Sequence, residues 1–300
     1  MNICAPNRYD SKNQTCFSLD QLIEMTKGYN RFLSKSKLNP NGTDKIKSTG
    51  ELIDIKPNKP YLLREIKKRF DNVCANDEVC ITQQTFMNEI VKEMKDDINN
   101  KTFRAVGPEN SKEWLSTVDI DNIMSQYEAI YPEFKFLGAV PLNCNDLNFC
   151  SLYKMDYDDY NHKGINQLGI IFNMDKYGQP GSHWVALFID IVNGEIYYSD
   201  SNGKPPIENV ASIINNFLEY YHNKTGKNAI YQYNKKAYQQ DNSECGIYSC
   251  NFIIRKLRGE TFDEIVKNYL TFKEINSCRN KYFRNKPSEY KIHEKCDPGI

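Results

Sequence analysis

Cys245 lies in QQDNSECGIYSCNFII, where polar residues ending at Glu244 give way to an apolar helical run. This puts the thiol at or near a helix N-terminus, where the dipole and unpaired N–H groups favour the reactive thiolate. Gly246 lets another backbone or a substrate pass close by. The Cys245 N–H is one candidate oxyanion donor, and the side-chain amide of Gln239, six positions upstream, is a second. Gln240 is the neighbouring candidate if the loop register differs by one. Taken singly, a cysteine here reads as helix packing and a glutamine as surface. Cys250, five residues on, reads as core.

A nucleophile of this kind needs a base, and the chain has four histidines. His162 falls in a polar loop, His222 at the end of an amphipathic helix and His293 in a charged tail. His183 differs, because it opens the strand HWVALFID directly after the turn-forming GQPGS. Val192-Asn193-Gly194 reads as a hairpin turn, and folding about it brings residues near position 200 opposite the start of the His183 strand. Asp200 is then placed to accept a hydrogen bond from the imidazole and orient it. Alone, Asp200 would read as a turn residue in SDSNGKPP.

The order His183-Trp184, then Asp200, then Gln239-x5-Cys245-Gly246 resembles the Ulp1-like cysteine protease family. That group has papain-like architecture and includes the SUMO-specific proteases and the polyprotein proteases of large DNA viruses, the African swine fever virus and mimivirus kinds among them. The motif match spans roughly residues 114 to 258, and VCIT near Cys80 and RAVGPENS extend a weaker similarity over the whole chain. Where the swine fever type has Asn as the third catalytic group, this sequence has Asp200, as in the SUMO proteases. The resemblance implies a thiolate–imidazolium pair of Cys245 and His183 oriented by Asp200, with Gln239 and the Cys245 N–H as the oxyanion hole. It implies cleavage after small residues such as Gly-Gly. It also suggests Trp184 as a shield over the His183–Asp200 pair and Trp114 as a groove residue, with core packing the plainer role of each. Trp184, Trp114 and Gly246 are thus the candidate substrate-binding residues, and neither a cofactor nor a metal is called for.

The elements that must hold these residues divide the chain into two regions. The first hundred residues read as helical: SLDQLIEMTKGYNRFL with Ser18 and Gln21 at capping-box spacing, YLLREIKKRF after Pro60, and TQQTFMNEIVKEMKDD with Phe86, Ile90, Val91 and Met94 as its apolar face. SKSKLNPNGTDKIKSTG between them reads as a solvated loop. The pattern breaks at KTFRAVGPENSK, which sets an N-terminal helical domain over 1–105 and a protease domain over 106–300. Beyond it come a helix at STVDIDNIMSQYEAIY and short runs of β type: FKFLGAV, QLGIIFNM, HWVALFIDI, EIYYSDS and AIYQYNK. With the helical runs NVASIINNFLEYYH and CGIYSCNFIIRKLRG, they predict an α+β fold around a central, largely antiparallel sheet.

Composition sets outer bounds. The 300 residues carry 39 Lys plus Arg against 39 Asp plus Glu, so no global basic field draws nucleic acid or membranes, and no sequence-specific nucleic-acid partner is expected. No stretch approaches the ~20 apolar residues of a transmembrane helix, and MNICAPNRYDSKNQ lacks a signal-peptide core. The chain is therefore expected to be soluble, not secreted, and to begin in a reducing cytosol. The ten cysteines are then expected to be mostly free thiols, because the two C-x5-C pairs, 74/80 and 144/150, are spaced more widely than structural zinc ligands favour.

The leading expectation is an endopeptidase that cuts viral structural precursors during virion maturation, located in virions and the host cytoplasm. The alternatives are a protease removing ubiquitin-like modifiers from host conjugates, an acetyltransferase of the same fold, and a helical adaptor with a degenerate protease domain.

Overall fold

The computed structural model describes residues 3–38, 50–148, 150 and 152–296. They form two compact units, Ile3–Arg104 and a second beginning at Ala105. In the first unit, helix α1 (Leu19–Leu38) opens with a reciprocal cap: Gln21 N donates to Ser18 Oγ at 3.1 Å and Ser18 N to Gln21 Oε1 at 2.9 Å. Helix α2 (Lys59–Cys74) has Pro60 in its first turn and an Asn58 cap, and buries Leu62, Leu63, Ile66 and Phe70. Between α1 and α2, most of the expected solvated loop, 39–49, lies outside the described residues.

The third expected helix is broken. After α3 (Glu78–Thr82), a 3-10 turn at Thr85–Glu89 ends at an extended Ile90 (ψ 143°), and α4 (Lys92–Lys101) follows. The break lets Phe86, Met87 and Ile90 all bury in one core with Leu22, Met25 and Tyr29 of α1. The β-branched pair Ile90-Val91 gives up little by leaving the helix, and Val91, expected on the apolar face, is 52% exposed.

The second unit begins with α5 (Thr117–Glu128), held by a capping box between Ser116 and Asp119. Then come β1 (Phe134–Pro141), α6 (Tyr157–His162), β2 (Gln167–Asn173), β3 (Trp184–Asp190), β4 (Glu195–Ser199), α7 (Glu208–Thr225), β5 (Ile230–Tyr233) and α8 (Cys245–Leu257). The strands lie in sequence order. β2, β3 and β4 pair antiparallel, whereas β1–β2 and β4–β5 are parallel. The sheet is thus mixed rather than largely antiparallel, because the β1–β2 and β4–β5 links carry α6 and α7 and are long enough to return the chain in the same direction.

Period-two alternation splits the sheet side chains between two cores. Ile170, Phe172, Val185, Leu187, Ile196 and Tyr198 pack with α7, while Ile171, Ala186, Phe188 and Tyr197 pack with α5 and α8. The architecture is α+β, as the sequence predicts. Helix α8 is buried at every position, so Cys250 is core, and burial pushes its thiol pKa up. Three short helices not foreseen from the sequence, α9 (Phe262–Lys267), α10 (Phe272–Ser277) and α11 (Arg279–Tyr282), close the α8 side. The capping boxes of α9 and α10, Thr261 with Glu264 and Thr271 with Glu274, are legible in the sequence.

The cysteines overturn the free-thiol expectation. Eight are paired, as Cys4–Cys16, Cys74–Cys80, Cys144–Cys150 and Cys278–Cys296, and only Cys245 and Cys250 are free. Both C-x5-C pairs are disulfides and not metal ligands. A reducing compartment disfavours disulfides in general, but the fold brings these partners to Cα separations of 4.9–5.4 Å, within bonding geometry. Cys278–Cys296 ties the chain end to the α10–α11 corner across 18 residues. Replacing both by Ser is expected to cost about 3 kcal/mol in urea unfolding under non-reducing conditions.

Candidate active site

Strand pairing places the base and its partner. Ala186 pairs with Ser199, so the residues just beyond, at the start of β3 and the end of β4, face each other. His183 precedes β3, its carbonyl accepting from Met174 N at 2.8 Å, and its side chain is 15% exposed. Its Nε2 lies 2.6 Å from Asp200 Oδ1. An ionised carboxylate only accepts, so the proton belongs on Nε2, leaving Nδ1 to exchange a proton with a thiol.

Asp200 is 2% exposed and is fixed from three sides. Asn202 N donates to its Oδ1 at 2.8 Å. Asn234, just after β5, accepts from Asp200 N at 2.9 Å and donates through Nδ2 to Asp200 O at 2.6 Å. Gly203 N closes a turn onto Asp200 O at 2.8 Å. Gly203 has φ +69°, and a Cβ there would meet the Lys236–Ala237 backbone at 2.6 Å, so glycine is required. Asp200 is thus both the turn residue and the imidazole partner. The sequence reading named Asp200 but missed its supports. The Asn-Gly pair at 202–203 carried a turn signal, whereas Asn234, 34 residues away, carried none. Asn202 Nδ2 also lies 3.3 Å from His183 Nε2.

Cys245 is the first residue of α8, and the Glu244 side chain makes no capping bond, so the helix's first N–H groups are not capped by it. Cys245 is 2% exposed and, together with Asp200, favours the protonated form of the His183 ring. Burial opposes the charged imidazole. The bonds to Asp200 and Cys245 outweigh it, and the pKa is pushed up to about 9.

The oxyanion candidate is registered to the same turn. Tyr238 N and Gln239 N both donate to Ser201 O, at 2.9 and 3.1 Å. The Gln239 amide accepts from Ser201 Oγ, and its Nε2 donates to Asp241 O at 2.6 Å, leaving a second amide N–H uncommitted by these bonds. Gln240 is exposed. A cavity of about 300 Å³ opens beside Gln239, between Tyr238 and Gln240 on one wall and Tyr269, Leu270 and Thr271 on the other.

The three proposed substrate-binding residues separate. Trp184 is 5% exposed and its Nε1 donates to Leu115 O at 3.0 Å. It is a core residue whose polar edge is already committed. Gly246 meets Leu115 and not an open channel: a Cβ there would fall 3.0 Å from Leu115 Cβ. Both contacts hold Leu115, and the neighbouring Trp114 remains 44% exposed.

Residues 165–291 match the model described as the Ulp1 protease family, C-terminal catalytic domain. Over 298 residues, 99% of this chain and 98% of the other, the sequence is 58% identical to an Acanthamoeba polyphaga mimivirus protein that carries a thiol-protease name. The chain belongs to the Ulp1 family of cysteine proteases. A cysteine protease of African swine fever virus is 23% identical over 201 residues, 61% of this chain and 72% of that one. A crystal structure of the African swine fever virus protease shares the fold at TM-score 0.59 and 18% identity, covering 94% of this chain and 96% of that one.

The raised imidazole pKa carries a sign. A folded pKa above 6.5 favours the protonated ring, so the His183 contribution to stability is complete below 6.5 and is lost as pH rises through about 9. An NMR titration of the His183 ring should have its midpoint near 9, and Asp200→Asn should lower it by about one unit or more.

Proposed function

We propose that Cys245, His183, Asp200 and Gln239 form the catalytic group of an endopeptidase acting on viral structural precursors during virion maturation. The observation that carries this reading is the 2.6 Å His183–Asp200 bond beside a free thiol at the start of α8. His183 takes the Cys245 proton, and the thiolate attacks the peptide carbonyl. The tetrahedral oxyanion is met by the Cys245 N–H and the uncommitted amide N–H of Gln239. His183 then protonates the leaving amine, and water hydrolyses the thioester. Asp200 stays ionised and stabilises the imidazolium.

Gln239 is favoured over Gln240 because its amide is anchored at the Asp200 turn. Exposed Trp114, held by the Leu115 contacts, is the remaining aromatic for a substrate groove, and cleavage after Gly is expected there. Viral relatives support a viral precursor as substrate and a location in virions and host cytoplasm. Some African swine fever virus relatives are named SUMO-1 cysteine proteases, so release of ubiquitin-like modifiers is the second reading.

Protein termini in virions made with wild-type or Cys245→Ala enzyme separate these readings. New termini after Gly in structural proteins are expected only with the active enzyme. Identical termini, together with labelling by a ubiquitin or SUMO probe, would favour the second reading. In peptide hydrolysis, Gln239→Ala should lower kcat by about 10²–10³, with a smaller change for Gln240→Ala.

A further inference from the structure

The C-terminal corner places a second charge against the nucleophile loop. Arg279, the first residue of α11, is fully buried. Its Nε donates to Asn276 Oδ1 at 3.1 Å, its Nη2 donates to Ser243 O at 3.0 Å, and Nη1 is buried without a hydrogen-bond acceptor. A guanidinium removed from water this completely needs a counter-charge.

Glu244 supplies it. That carboxylate is also fully buried and directly precedes Cys245. Its oxygens accept from Ser243 Oγ and from Asp241 N, both neutral donors. Burial lowers the Arg279 pKa to about 10, with Glu244 the leading opposing influence and Cys245 the next, so the group remains a cation at neutral pH. The remaining charges acting on it are Asp119 of α5 and Glu113 in the preceding segment, while His183 faces Cys245 from the start of β3. Cys278–Cys296 and the buried Asn276 fix the backbone on which Arg279 sits.

We propose that Arg279 is a positioning residue of the proteolytic site, holding the 243–244 loop through the Ser243 carbonyl and neutralising Glu244 so that a thiolate can form at Cys245. The inference rests on Cys245 being the nucleophile. Without the cation, a buried carboxylate one residue away would oppose the thiolate that the α8 N-terminus and His183 favour. A purely structural arginine would affect melting but not the titration of the thiol.

The test is the pH dependence of Cys245 alkylation by iodoacetamide, followed by peptide mass spectrometry on the full, non-reduced chain. Cys250, the other free thiol, is fully buried and also feels the Arg279 charge, so only the Cys245 peptide is scored. Arg279→Met should raise the pH of half-maximal alkylation by about one unit and slow the reaction at pH 6.5 about tenfold, and Arg279→Lys should recover most of the loss. Glu244→Gln should shift the profile the opposite way. A folded Arg279→Met protein with the wild-type profile would overturn the proposal. If Arg279→Met does not fold, an unchanged Glu244→Gln profile overturns it equally. Peptide hydrolysis measured in parallel keeps the two claims apart. Wild-type protein that cleaves nothing, yet shows alkylation dependent on Arg279, would remove the protease role of Cys245 and leave the charge coupling standing.

Discussion

The structure depends on keeping one buried carboxylate charged and still. Asp200 is 2% exposed, and desolvation of an ionised group that deep is costly unless it is hydrogen-bonded and paired with an opposite charge. Asn202 N and His183 Nε2 engage one oxygen, and Asn234 clamps the backbone on both sides of the Cα. The same turn anchors Ser201 to the Gln239 loop. The carboxylate that orients the base therefore also sets the register of the oxyanion candidate, and β3, β4, β5 and the approach to α8 converge on one turn.

A second set of constraints governs the helix that carries the thiol. Every residue of α8 is buried, so its position is set by packing against the sheet and α5 on one side and the short C-terminal helices on the other. Gly246 admits Leu115 at close range and Trp184 donates to the Leu115 carbonyl, which fastens the segment before α5 to both the nucleophile helix and the base strand. The Cys278–Cys296 bond closes the opposite side, and Arg279 reaches from it to Ser243. The thiol is thus enclosed by groups that fix its geometry and its electrostatic surroundings together.

Much of the site was legible because its members announce themselves locally. The polar-to-apolar change at Glu244–Cys245 marks a helix start, and α8 begins at Cys245. Val192-Asn193-Gly194 marks a hairpin, and its register pairs Ala186 with Ser199, bringing Asp200 to His183. A capping signal likewise gave α1. The broken helix around Ile90 was not legible, since helical spacing of Phe86, Ile90 and Met94 fits a continuous helix equally well, and only burial against α1 decides otherwise. The partner of the Trp184 indole was not legible either, since adjacency to the base says nothing of which way an indole N–H finds its acceptor.

Sequence by itself determined the chemistry available and the order in which it occurs: a thiol at a helix start, an imidazole at a strand start and a carboxylate across a hairpin. Those are short-range properties, set by backbone preference and side-chain period. Tertiary structure alone decided what is distant in the chain. It chose parallel pairing for the outer strands, joined eight cysteines, assigned Asn234 to Asp200, and bonded Arg279 to the Ser243 carbonyl. Each of these depends on which groups a packed core brings together, and the burial cost of a polar or charged group can be judged only once its neighbours across the fold are in place.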